Sequence, residues 1–326
     1  MPSLDADLVR RLRRGQDKNV LRALFDAAVA AADPMLCVAP ALPPRPSGRV
    51  VVVGAGKASA RMGEAVEAAW GPCEGLIITR DGYARDLAGI AVAEASHPVP
   101  DRRGLEATQA MLSLLEGCGP DDLVLALISG GGSALLCCPA GQITLEEEQA
   151  LTRALLSSGA PITDMNVLRK HLSRAKGGNL AAAAWPARML SLIVSDVPGD
   201  DPAAIASGPT VPDRSTQAQA LAVAARWSVP LSPAMIDVLE GPPVTRRPGT
   251  EAMSRVENKI IAAPGQSLEA AATLARNVGW AVEILGDAIE GEARLVAGEH
   301  AGLGQEVRAR RRAPVRFQLT AQFGVE

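Results

Sequence analysis

The stretch Val50-Val51-Val52-Val53-Gly54-Ala55-Gly56-Lys57-Ala58-Ser59 decides the fold. Four consecutive β-branched residues with no polar alternation make a strand covered on both faces, and the glycines after it turn the chain into a helix. Outward from it the pattern repeats: residues 76–78, 90–93, 123–128 and 190–194 are short apolar runs, and 58–70, 104–116 and 145–156 have helical periodicity. Continuously apolar strands alternating with helices predict an α/β, doubly wound, three-layer domain on a mostly parallel sheet.

Boundaries follow from composition. Leu4, Leu8, Leu12, Leu21, Leu24, Phe25, Ala28 and Val29 recur at helical spacing, and Pro40, Pro43, Pro44 and Pro46 then break the chain. This predicts an N-terminal helical segment over 1–48 and a main domain over 49–240. After 240 a strand at 259–263, a helix at 267–277, a strand at 281–285 and a helix at 291–307 predict a second α/β domain. It reads as incomplete, because the tail from Arg308 through Arg310, Arg311 and Arg312 loses all periodicity.

The 326 residues carry 33 basic and 36 acidic side chains and only 2% aromatics. A net charge of −3 gives nothing to release phosphate counterions, and few rings are available to stack on bases, so nucleic acid is excluded as the first choice of partner. Cys37, Cys73, Cys118, Cys137 and Cys138 have no metal-ligand spacing and read as small buried hydrophobes of a reducing compartment. Residues 123–145 are uncharged and long enough to span a bilayer, yet Gly130, Gly131, Gly132, Pro139 and Gly141 interrupt them. The expectation is a cytoplasmic chain without a membrane segment.

Several constellations invite chemistry. The turn at Gly54 and Gly56 exposes amides at a helix start, where anions bind, and Lys57 beside them supplies a mobile charge. It lacks the first glycine of a P-loop, where Val51 stands, and Ser59 replaces the third glycine of a dinucleotide fingerprint. A tight turn without a ligand is the alternative. Ser129-Gly130-Gly131-Gly132-Ser133 follows another apolar strand and reads as an anion nest. Asn166, Arg169, Lys170, Ser173 and Arg174 fall on neighbouring faces of a helix and, with Lys176-Gly177-Gly178-Asn179, suit an acidic ligand; a solvated basic surface is the alternative. Asp196, Asp200 and Asp201 offer carboxylates for Mg²⁺ in one loop after a strand, against a plain turn. His97 is a substrate-side contact at most.

Taken in order, GAGKAS, EASHPVPD, LISGGGSALL, TDMNVLRKHLSRAKGGNLA and LIVSDVPGDDPAAIASGPT closely resemble the glycerate 2-kinase family whose members end in a MOFRL domain. The resemblance implies Mg²⁺-dependent transfer of the ATP γ-phosphoryl to the 2-hydroxyl of D-glycerate. It implies catalytic roles for Lys57, Arg169 and Asp196, with Asp196 and Asp200 toward the metal. Gly54, Gly56, Ser129, Gly130, Gly131, Gly132, Ser133, Lys176, Gly177, Gly178 and Asn179 would then hold the nucleotide, and Lys57, His97, Asn166 and Lys170 the substrate. The family continues into a further Gly-rich block that this chain does not show, which suggests a frameshift or truncation near Arg310. An NAD(P)-dependent hydroxypyruvate reductase is the alternative enzyme. A non-catalytic remnant that binds nucleotide, or forms a homodimer through an unfinished second domain, is the alternative of another class.

Overall fold

The computed structural model describes residues 17–309 other than 278, 281 and 290; the expected helical turns at Leu4, Leu8 and Leu12 and the tail from Arg310 lie outside the described residues. The chain runs through α1 (Asp17–Ala31), α2 (Pro34–Cys37), β1 (Val50–Ala55), α3 (Ser59–Trp70), β2 (Glu74–Arg80), β3 (Ile90–Ala95) and α4 (Arg102–Glu116). Then come β4 (Leu123–Ser129), α5 (Gly132–Leu135), α6 (Leu145–Ser157), α7 (Ile162–His171), α8 (Asn179–Ala183) and β5 (Arg188–Val194). The remainder is α9 (Gln217–Arg226), α10 (Pro233–Glu240), β6 (Val256–Ala262), α11 (Pro264–Asn277) and α12 (Ala293–Ala309).

One sheet has the order β3-β2-β1-β4-β5-β6. The pairings among β1 to β5 are parallel, with Val53 opposite both Leu76 and Ala126, Ile77 opposite Val92 and Leu125 opposite Leu190. Every residue of β1 and β4 is buried, as continuous hydrophobicity demands. These two strands mark where the strand order reverses, so the loops leaving their carboxyl ends border the crevice in which open α/β sheets bind ligands. The uncharged 123–145 stretch is β4, a glycine turn and α5 rather than a membrane span. No single helix among the described residues is long and apolar enough to cross a membrane.

A second apolar cluster fills the segment between β4 and α10. Leu151, Leu155, Leu168, Val223, Met235 and Leu239 pack together from α6, α7, α9 and α10. Thr144 caps α6 in a box with Glu147, Thr216 caps α9 in a box with Gln219, and Ser232 caps α10. Each cap satisfies an amide that has no partner within its helix, worth about 1 kcal/mol.

Contacts divide the described residues into two compact units, one of Val38–Ser195 with Asp200–Ile261 and one of 17–37, Asp196–Gly199 and 262–309. In the second unit Val20 and Leu24 of α1 pack on Ala271 and Ala275 of α11. The N-terminal helix thus groups with the C-terminal segment, which differs from the sequence boundaries at 48 and 240. Three local expectations are corrected. The strand expected at 259–263 forms as β6 on the edge of the main sheet, pinned by Thr210 Oγ1, which donates to Asn258 Oδ1 (2.7 Å), and by the Asn258 amide, which donates to the Thr210 carbonyl (3.1 Å). Residues 282–285 form no strand, and Val282 packs instead against the α1–α11 cluster. Helix α7 ends at His171, so Ser173 and Arg174 leave the helix; Ser173 bridges Pro139, and the Arg174 amide donates to the Cys138 carbonyl (2.8 Å).

Candidate active site

Two glycine turns meet at the carboxyl ends of β1 and β4, and the first is closed. Gly56 has a φ of 143°, and a Cβ there would stand 2.1 Å from Ser129 Oγ and 2.5 Å from the Ser129 carbonyl oxygen. Its amide donates to Ile78, that of Lys57 to Gly130 (2.8 Å), that of Ala58 to Ser129 Oγ (3.0 Å) and that of Ser59 to Gly56. Ser129 Oγ also meets Ser59 Oγ at 3.2 Å. The amides expected to face an anion are therefore spent on β2, β4 and the turn itself, because strands ending side by side offer acceptors. Gly54 lies within β1, paired with Ile77 and Leu127.

The second turn is open. At Gly131 (φ 83°) a Cβ would stand 3.1 Å and 3.2 Å from Cγ and Cε of Lys57 and 3.3 Å from Cδ2 of His97. The Lys57 chain and the His97 ring thus flank one glycine. The amides of Gly131, Gly132 and Ser133 find no backbone acceptor among the described residues.

Positive charge collects around that glycine. Burial, and after it the charges of Lys57, Arg80 and Arg169, pushes the His97 imidazole down to about 4, so it is neutral at pH 7. Lys57 is exposed, and its ammonium has no partner among the described residues. Arg169, on α7, likewise lacks any hydrogen bond or ion pair among the described residues. Burial lowers its pKa, opposed by the field of Glu148. Arg80 ends β2; its guanidinium stacks 4.0 Å over the Tyr83 ring and donates to the Tyr83 hydroxyl, and its Nε is buried without an acceptor. Unpaired cations gathered in partial burial repel one another until an anion arrives, so the cluster is built for a ligand carrying several negative charges. Arg80 escaped the sequence reading, although its place at the carboxyl end of β2 could have pointed to it.

Most of the other expected residues are engaged within the chain. Ser133 Oγ meets Ser207 Oγ (2.8 Å), Ser207 donates to Asn166 Oδ1 (2.9 Å), and the Asn166 amide donates to the Ala204 carbonyl (3.0 Å). This chain holds Ala206 (φ 53°) and Ser207 (φ 60°) in the left-handed region, at about 1–2 kcal/mol each. Lys176 is 1% exposed, and its ammonium donates to the Leu136 carbonyl (2.8 Å) and pairs with Glu148 (3.5 Å). Gly177 and Gly178 donate to the carbonyls of Ser207 and Gly208, while Asn179 bridges Ser173 and Arg246. Lys170 and His171 turn to buried Asp213 at 3.5 Å and 3.3 Å. Asp196 follows β5 by two residues and is half-buried. Asp200, in the left-handed region at φ 52°, has a buried Oδ1 without a partner. Among the described residues no group of three metal-ligating side chains forms.

A parallel α/β sheet whose switch point presents free amides beside cations without carboxylate partners and a neutral histidine has the chemistry to accept a small polyanion. Residues 20–240 match the family described as "Domain of unknown function (DUF4147)". The D-glycerate 2-kinase of Thermotoga maritima is 35% identical over 303 residues, 92% of this chain and 71% of that protein. A protein of Agrobacterium vitis bearing a hydroxypyruvate reductase name is 51% identical over 293 residues, 89% of this chain and 66% of its own length. The crystal structure of glycerate kinase from T. maritima matches with a TM-score of 0.80 at 33% identity, over 93% of this chain and 74% of that one. The chain belongs to the DUF4147 family of glycerate 2-kinases, and it spans about two thirds of the length of the first of these relatives in identity.

Proposed function

We propose that the chain transfers the γ-phosphoryl of ATP to the 2-hydroxyl of D-glycerate. The observation that carries this reading is the convergence of Lys57, Arg80 and Arg169, all without carboxylate partners, beside the free amides of Gly131 to Ser133. Phosphoryl transfer asks the protein for positioning and for neutralisation of charge spread over phosphoryl oxygens, which cations and amides supply. Lys57, exposed beside the glycine, holds the transferring group; Arg80 and Arg169 hold the fixed negative charge of glycerate. The glycine cradle for the nucleotide is then the second turn, Gly130 to Ser133, and the first turn serves to hold Lys57 against it. Asp200, whose orphaned carboxylate oxygen fits a cation, is the group proposed for Mg²⁺. When bound, that ion would neutralise phosphate oxygens of the nucleotide.

The reductase name of the Agrobacterium relative gives the competing activity. A nicotinamide dinucleotide would place its pyrophosphate on the amides of the first strand turn, and those already donate to Ile78, Gly130 and Ser129. The test is ADP release by the folded chain with Mg-ATP and D-glycerate, run beside NADH oxidation with hydroxypyruvate. The expected result is glycerate-dependent ADP release that falls at least about 100-fold in Lys57→Ala. NADH oxidation without ADP release overturns the reading.

A further inference from the structure

Around Gly131, apart from the carboxylate proposed for Mg²⁺, the candidate site is rich in donors and poor in acceptors, and this bears on where the proton of the reacting hydroxyl goes. Lys57, Arg80 and Arg169 can only donate. Ser129 Oγ accepts from the Ala58 amide and meets Ser59. Ser133 is tied to Ser207, and the Asn166 oxygen accepts from Ser207. Beside Gly131 stands one side chain with a basic lone pair and no hydrogen-bond partner among the described residues, the His97 imidazole, whose Cδ2 lies against that glycine next to Lys57.

We propose that His97 accepts the proton of the substrate hydroxyl during phosphoryl transfer. The inference rests on the kinase reading above. The hydroxyl oxygen forms its bond to the γ-phosphorus while the bond from that phosphorus to the β-bridging oxygen breaks, its electron pair leaving on ADP. The hydroxyl proton passes to one ring nitrogen of His97, and from the half-buried ring to water, so atoms and charge balance. The charges that act on the ring are those of Lys57 from the turn after β1, Arg80 from the end of β2 and Arg169 from α7. Burial, and after it these charges, keeps the ring unprotonated in the free protein, hence ready to accept, and bound phosphate and carboxylate charges offset the cations as the imidazolium forms. A neutral ring beside cations would be a poor ligand for an anion, which separates this role from that of a simple substrate contact.

The test compares the full chain with His97→Gln and His97→Asn, each checked for an unchanged urea midpoint, in ADP release across pH 4 to 9. The expected result is a fall in kcat of about 10²-fold with KM for D-glycerate within about threefold, the low end for a general base because the transition state is loose. In the parent chain kcat/KM falls only at acid pH, with an apparent pKa well under 6.5; the acid limb vanishes in both variants, and added imidazole restores part of the rate. Variants that keep kcat within threefold, raise KM instead, or retain the acid limb overturn the role of His97 while leaving the kinase reading intact. A folded parent chain that releases no ADP with D-glycerate overturns that reading and the proton transfer with it.

Discussion

Lys176 is the sharpest test of which cations serve a ligand and which hold the fold. Its side chain is 1% exposed, donates to the Leu136 carbonyl at 2.8 Å and pairs with Glu148 at 3.5 Å, where Glu148 Oε2 already lacks a partner. Lys176→Met keeps the length and removes the charge. The loss comprises a charge-assisted hydrogen bond, about 1.5–3 kcal/mol, and a carboxylate, 14% exposed, left with only the field of Arg169, so the cost should be about 2–4 kcal/mol. Against a typical stability of about 5–15 kcal/mol that is a large fraction. The same change in Glu148→Gln background should cost about half as much or less, because no bare carboxylate is left. Urea unfolding followed by Trp fluorescence measures both, the midpoint falling at constant slope. An unfolding free energy within about 1 kcal/mol of the parent, combined with weakened nucleotide binding, would refute the reasoning and return Lys176 to the nucleotide.

Gly56→Ala should destabilise by about 3–5 kcal/mol, read by the same unfolding curves. Its methyl meets a backbone oxygen at 2.5 Å as well as the Ser129 hydroxyl, and the backbone at φ 143° adds strain; a neutral result would mean the first turn is not packed on β4. Acid should weaken the fold. The His97 imidazole is pushed down to about 4 and that of His171 is lowered, each chiefly by burial, so the unfolded chain binds more protons below 6.5. Stability present above pH 6.5 is lost as pH falls towards 4, at no more than about 1.4 kcal/mol per pH unit for each proton. His97→Gln should flatten that slope, and thermal melts between pH 4 and 7 check it.

Much of this was legible along the chain. The central strands were plain because β1 and β4 are buried on both faces and carry unbroken apolar runs. Helices α9 and α10 were not singled out, although Thr216 with Gln219 and the Ser232-Pro233 start are recognisable caps. The end of α7 could not be read, since its helical spacing continues through Ser173 and only the Pro139 bridge stops it. Among the candidate residues, Lys57 and His97 meet at Gly131 and the charge of Arg169 reaches the His97 ring, while Lys170, Lys176 and Asn166 are drawn into the packing of loops distant in sequence.

By itself the sequence determined the parallel α/β layers, the two glycine turns and the family, because hydrophobic period and glycine placement are local properties. Tertiary structure alone decided which turn stays open and which cations stay unpaired. Ser129 spends the donors of the first turn, and Glu148 and Asp213 neutralise two of the lysines. Those partners lie tens of residues away along the chain, so no spacing rule reveals them. Arg80 joined the site for the same reason, held over Tyr83 at the end of a strand whose neighbours only the folded sheet supplies.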